Sequence, residues 1–140
     1  MSEVIRDDGS ARNGAETPSQ SPLILIAEDD PKTLRLVGEV VQRAGYRAAL
    51  AKHGVGAVKL LKRARPDLII LDLRMPRMDG FQLLELLKKY ETSASIPVVV
   101  LTGSNSPMDI DRAMQLGITD YLVKPISPRK LITRIQKLLR

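Results

Sequence analysis

The sequence predicts a doubly wound α/β domain, a five-stranded parallel sheet with helices on both faces. Three observations carry this. Short apolar runs of strand length alternate five times with segments of helical period. The connections are short and hold helix-capping or helix-stopping residues. The clearest strand runs are continuously apolar, as strands covered on both faces are. Right-handed crossovers follow for parallel neighbours.

The elements justify themselves in order. "LILIA" (23–27) is a buried strand. "PKTLRLVGEVVQRAG" (31–45) has helical spacing, with Leu34, Val37, Val40, Val41 and Ala44 on one side. Asp30-Pro31 supplies an N-cap acid and a proline at the first helical position, and Gly45 stops the helix. "YRAALA" (46–51) is a weak strand. "VGAVKLLKRA" (55–64) is a helix ended by Pro66. "LIILDL" (68–73) is a buried strand, and "FQLLELLKKY" (81–90) a helix entered through Asp79-Gly80. "PVVVL" (97–101) is rich in β-branched residues. "PMDIDRAMQLG" (107–117) is a helix closed by glycine, "DYLV" (120–123) the fifth strand, and "SPRKLITRIQKLLR" (127–140) the last helix.

The whole chain sets bounds. At 140 residues it accommodates one domain, here residues 22–140, with no internal repeat and no second domain. Residues 1–21 are polar and charged and are expected to be a disordered tail. The absence of cysteine excludes disulfides, cysteine-ligated metal and thiol catalysis, and fits a reducing cytoplasm. No apolar run reaches the ~18 residues of a membrane span, and the N-terminus lacks a signal-peptide core. The formal net charge is +6, and the tail's two arginines and four acids leave about +8 on the rest. Such a surface either attracts an acidic partner or is simply solvated.

Open parallel sheets bind at the carboxyl ends of their strands. Here the first strand ends in Glu28-Asp29-Asp30, the third in Asp72, the fourth in Thr102 and the fifth in Lys124-Pro125. Clustered carboxylates repel and raise one another's pKa, and a hard divalent cation relieves them. One histidine and no cysteine make zinc a poor fit. Acids, Mg²⁺, a hydroxyl and a lysine are the parts phosphoryl transfer uses, with a carboxylate as nucleophile.

"LIAEDDP", "PDLIILDLRMPRMDG", "PVVVLTGS" and "GITDYLVKPIS", in that order over residues 23–140, resemble the blocks of the response regulator receiver domain. The resemblance implies a flavodoxin-like fold with strand order 2-1-3-4-5. It implies Asp72 as phosphoacceptor. Asp29 and Asp72 would ligate Mg²⁺ directly, Glu28 through water, and Arg74 through its backbone carbonyl. Thr102 would be the switch hydroxyl, Lys124 the phosphate-pairing lysine and Tyr121 the switch aromatic. A cis bond is expected before Pro125. Asp30 is read as an N-cap in preference to a metal contact. His53 is given no catalytic role. Arg74 and Ser104 stand where the family flanks the hydrolytic water, and neither is a carboxylate or amide. Slow self-dephosphorylation is therefore expected.

The resemblance implies a single-domain regulator, not an enzyme acting on a free substrate. It would take phosphate from a sensor histidine kinase or histidine phosphotransfer protein. It would then signal to a downstream protein through the fourth helix, fifth strand and last helix, or act as a phosphorelay or phosphate sink. On the last helix Lys130, Arg134 and Lys137 form a basic stripe, facing either an acidic partner or solvent. No nucleic acid or membrane partner is expected, and the chain is read as a monomer or a phosphorylation-dependent dimer. Two other readings are a receiver fragment of a DNA-binding transcriptional regulator and a pseudo-receiver scaffold that uses no phosphate. A Mg²⁺ hydrolase is the enzyme alternative, without a separate acid–base motif to recommend it.

Overall fold

The computed structural model describes residues 4–6, 11–12 and 21–140. Among them, in chain order, run β1 (Val4–Arg6), β2 (Ala11–Arg12), β3 (Leu23–Ala27), α1 (Pro31–Arg43), β4 (Arg47–Ala51), α2 (Gly54–Leu61), β5 (Leu68–Leu71), α3 (Gly80–Lys89), α4 (Glu91–Ala94), β6 (Val98–Thr102), α5 (Pro107–Gln115), β7 (Asp120–Val123) and α6 (Pro128–Leu138). The sheet order is β2-β1-β4-β3-β5-β6-β7. Its last five strands are the parallel 2-1-3-4-5 arrangement expected.

Two strands correct the sequence reading. The stretch taken as a disordered tail contributes β1, parallel to β4, and β2, antiparallel to β1. The sheet among the described residues thus has seven strands, not five. The reason lies in Val4 and Ile5. Val4 is buried among Ile24, Ala48 and Leu50, and Ile5 packs on the opposite cluster. Two apolar residues suffice to cover the edge of β4, which would otherwise leave backbone groups unpaired. The disorder expected at the other tail residues concerns positions outside those described. The short α4 was also not expected; Tyr90 precedes it without a side-chain cap.

Alternation sorts the core into two layers. Leu25, Ile69, Leu71, Val98 and Val100 face α2, α3 and α5, meeting Leu60, Phe81, Leu84 and Ala113. Ile24, Ile26, Ile70, Val99 and Leu101 face α1 and α6, meeting Leu34, Val37, Val41, Leu131 and Ile135. The helices begin where short polar residues cap them. Asp30 accepts from Thr33 N–H at 3.1 Å, and Ser127 from Lys130 N–H at 3.1 Å. His53, set aside as a catalyst, caps α2: its Nδ1 accepts from Gly56 N–H at 3.1 Å.

Asp79 and Gln82 form a reciprocal capping box at the start of α3, each accepting at 2.9 Å. Gly80 is required there for space. A Cβ on it would stand 2.5 Å from the Asp72 carbonyl oxygen and 2.6 Å from Leu73 Cα. The start of α3 is thereby pressed against the strand end that carries Asp72.

Candidate functional site

The backbone ladder places the site. Each key residue lies at or just past its strand end, and three N–H groups still bond to the neighbouring strand. Glu28 N–H donates to Ala51 C=O at 3.0 Å, Asp72 N–H to Ala27 C=O at 3.0 Å, and Lys124 N–H to Thr102 C=O at 2.7 Å. The side chains of Glu28, Asp72, Thr102 and Lys124 are therefore held at one edge by the same bonds that build the sheet. Lys124–Pro125 is cis, as expected.

Among the described residues, Glu28, Asp72 and Thr102 are the buried polar side chains. The Lys124 ammonium donates to Asp72 Oδ2 at 3.0 Å and to Glu28 Oε1. Glu28 Oε2 accepts from Asp30 N–H at 3.2 Å. Asp72 Oδ1 accepts from Arg74 N–H at 3.2 Å. Asp29 is exposed at the rim. The Thr102 hydroxyl is fully buried and makes no hydrogen bond.

Burial pushes the Glu28 carboxyl up and the adjacent Asp72 adds to the rise; Lys124 opposes it, and the group settles at about 7. Burial also works against the charged form of Asp72. The nearby Thr102 hydroxyl, Lys124 and Glu28 outweigh that, and the Asp72 carboxyl lies below its ordinary value. The Thr102 hydroxyl thus influences Asp72 from nearby, without a hydrogen bond of ordinary geometry. Burial pulls the Lys124 ammonium down, but the two carboxylates more than compensate and raise it. The resulting state is an ionised Asp72, a charged Lys124 and a Glu28 that shares its proton near neutrality.

Glu28, Asp29 and Asp72 each offer an oxygen, and these lie within 4.8 Å of one another. An all-oxygen set of acids fits a hard cation such as Mg²⁺. Both Glu28 oxygens are already engaged, which suits contact through water better than direct ligation. Asp30 lies outside this trio and is turned to its cap, where Thr33 Oγ1 also donates to it at 2.5 Å.

Tyr121 is placed differently from the acids. It is half-buried, packed against the Phe81 layer, and its hydroxyl donates to Ser104 C=O at 2.8 Å. The sequence reading missed a network beside it. Ser104 Oγ donates to Asp109 Oδ2 at 2.6 Å, and Arg74 Nη2 reaches the same oxygen at 2.9 Å. The basic stripe of α6 is likewise not wholly solvated, since Arg134 pairs with Asp120 at 2.8 Å.

An acid trio, a hydroxyl and a lysine thus meet at the carboxyl edge of a 2-1-3-4-5 parallel sheet. The family model for the response regulator receiver domain matches residues 24–136, and the chain belongs to that family. It is 38% identical over 119 residues to the DNA-binding dual master transcriptional regulator RpaA of Synechocystis, covering 85% of this chain and 49% of that protein. It is 36% identical to the phosphate regulon transcriptional regulatory protein PhoB of Klebsiella pneumoniae, covering 84% of this chain and 51% of PhoB. The chain thus spans about half the length of these curated relatives. The chemotaxis protein CheY4 of Vibrio cholerae superposes with a TM-score of 0.81 at 30% identity, over 85% of this chain and 99% of CheY4. The receiver domain of sensor histidine kinase PA1611 of Pseudomonas aeruginosa gives a TM-score of 0.79 at 29% identity, over 85% of this chain and 98% of that one. Its structure has a magnesium ion coordinated in the active site cleft. Among the described residues no helix is long and apolar enough to cross a membrane.

Proposed function

We propose that this chain accepts a phosphoryl group on Asp72 from a phosphohistidine of a sensor histidine kinase or histidine phosphotransfer protein, in the cytoplasm. The observation that carries the reading is the state of Asp72: buried, held ionised, with Lys124 at 3.0 Å. One Asp72 carboxylate oxygen attacks phosphorus. The P–N bond breaks, its electron pair returns to the imidazole nitrogen, and that nitrogen takes a proton from solvent water. Asp29, Asp72 and the Arg74 carbonyl would hold Mg²⁺ directly and Glu28 through water, and the ion would supply positive charge against the phosphoryl oxygens. Lys124 neutralises charge from the other side and stays protonated, because its neighbours raise its pKa. The Thr102 hydroxyl, buried and without a bond, is a donor waiting for an acceptor. It turns to the new phosphoryl oxygens, and Tyr121 follows into the space. The altered surface of α5, β7 and α6 then signals to a protein partner, by a monomer or a phosphorylation-dependent dimer. The chain itself is a self-catalysed acceptor with slow hydrolysis, not an enzyme acting on a free substrate.

A second reading has its own observation. The curated relatives are transcriptional regulators about twice the matched length, so the same acceptor would serve as the receiver half of a DNA-binding regulator. Salt-sensitive binding of this chain to duplex DNA would favour that reading over the single-domain one.

Intact mass after incubation with Mg²⁺ and a small acyl-phosphate donor tests acceptance. One added phosphoryl group is expected, absent from Asp72→Asn and from chelated samples. No gain in the unaltered chain would leave a scaffold that uses no phosphate.

A further inference from the structure

We infer that the Arg74 guanidinium is a phosphoryl-binding group parked on Asp109, and that a phosphoryl group on Asp72 competes with Asp109 for it. The inference rests on the acceptor reading of Asp72. Arg74 follows Asp72 by two residues, and its N–H already donates to Asp72 Oδ1 at 3.2 Å. The backbone is therefore anchored at the acceptor while the side chain runs across to α5, where Nη2 meets Asp109 Oδ2 at 2.9 Å. The Arg74 side chain is 71% exposed and that of Asp109 only 14%. The cation is the free-swinging partner and the acid the fixed one. An ion pair with one end in water is weak and screened by salt. A phosphoryl group offers more charge, and its oxygens match the planar guanidinium fork. Exchange toward Asp72 is thus favoured once the phosphoryl group is present.

The consequence reaches the switch through direct bonds. The Asp109 oxygen that Arg74 leaves also accepts Ser104 Oγ at 2.6 Å. Ser104 Oγ in turn accepts from Ser106 N–H at 3.3 Å, and the Ser104 carbonyl accepts from the Tyr121 hydroxyl at 2.8 Å. Withdrawing the cation changes the charge balance at the residue that tethers both the β6–α5 loop and Tyr121. This route starts from different atoms than the one through Thr102 and meets it at Tyr121.

Titration of the full chain with fluoroberyllate and Mg²⁺, followed by ¹⁹F NMR of the bound species, tests the exchange. Arg74→Ala is expected to bind roughly tenfold more weakly, since a charge-assisted fork to the phosphoryl analogue is lost. Asp109→Asn is expected to bind roughly two- to fivefold more tightly, since Arg74 is released. That gain should vanish in the Arg74→Ala background. The guanidinium ¹⁵N signals of Arg74 should move on loading in the unaltered chain. Unchanged affinity in Arg74→Ala overturns the inference, as does an Asp109→Asn gain that persists without Arg74. If the unaltered chain, still folded, binds no fluoroberyllate, the acceptor reading fails and this inference falls with it.

Discussion

Replacing Lys124 with methionine removes the one cation that two buried carboxylates share. Glu28 and Asp72 would then face each other with Arg74 and Asp30 N–H groups as their remaining donors among the bonds described. Removing one partner of a buried pair costs about 3–5 kcal/mol. Two features of this site reduce that. The Lys124 side chain is 25% exposed, so water already screens part of its pull. Glu28, with its pKa near 7, escapes by taking a proton. A loss of about 2–3 kcal/mol at about pH 8 follows for the metal-free protein.

The sign of the pH dependence separates this from mere loss of packing. Glu28 holds its proton more tightly in the fold than its ordinary 4.5, so its contribution is complete below that value and is lost as pH rises through about 7. Without Lys124 nothing comparable opposes the rise, and the loss deepens. Asp72 is shifted the other way. Its contribution is present above its ordinary 3.8 and disappears as pH falls through its lower folded value. At about pH 5, Glu28 is protonated with or without Lys124, and only the Asp72 share remains, about 1 kcal/mol. Urea unfolding of both chains, with chelator, at about pH 5 and about pH 8 measures the difference. A Lys124→Met loss equal at the two values would refute the reasoning and leave the packing of the lysine stem as its source.

Gly80→Ala forces a methyl into the Asp72 and Leu73 backbone; about 2 kcal/mol should be lost in urea unfolding, and phosphoryl gain by intact mass should fall with the displacement of Asp72. Val4→Asp places a charge in a site only 8% exposed, so β1 should detach, read as faster amide exchange along β4 with the acceptor site still loading. Mg²⁺ should raise the midpoint of thermal unfolding, and Asp29→Asn should blunt that rise without altering the metal-free midpoint, since Asp29 is exposed. Phosphate on Asp72 should persist for long periods in purified protein with Mg²⁺, because neither Arg74 nor Ser104 offers a carboxylate or amide to orient a hydrolytic water; rapid loss followed by mass would count against it.

The parts of this molecule that rest on local pattern were legible in the sequence. Continuous apolar runs marked the central strands, and Asp30, Asp79 and Ser127 marked helix starts because a capping side chain acts within three residues. The strand-end acids could be gathered before any coordinates, since parallel strands point their carboxyl ends one way. Strand β1 was hidden because Val4 and Ile5 sit among charges in a segment too short to show periodicity. Their partner, β4, lies more than forty residues away. The tie from Arg74 to Asp109 spans thirty-five residues and depends on which rotamer an exposed arginine selects, something no spacing rule encodes.

The same contrast explains why this edge of the sheet can change state. Glu28, Asp72 and Lys124 are anchored by ladder bonds from their own backbone to adjacent strands, so the strand ends that carry them keep their spacing when charge is added. The side chains of Arg74, Ser104 and Tyr121 are held by bonds outside the backbone ladder, each worth only about 1 kcal/mol net. A new charge at Asp72 therefore meets rigid groups that must bear it and adjustable groups that can answer it. The response has to appear in the second set, in the Arg74 and Tyr121 side chains and the β6–α5 loop, and not in the backbone ladder of the sheet.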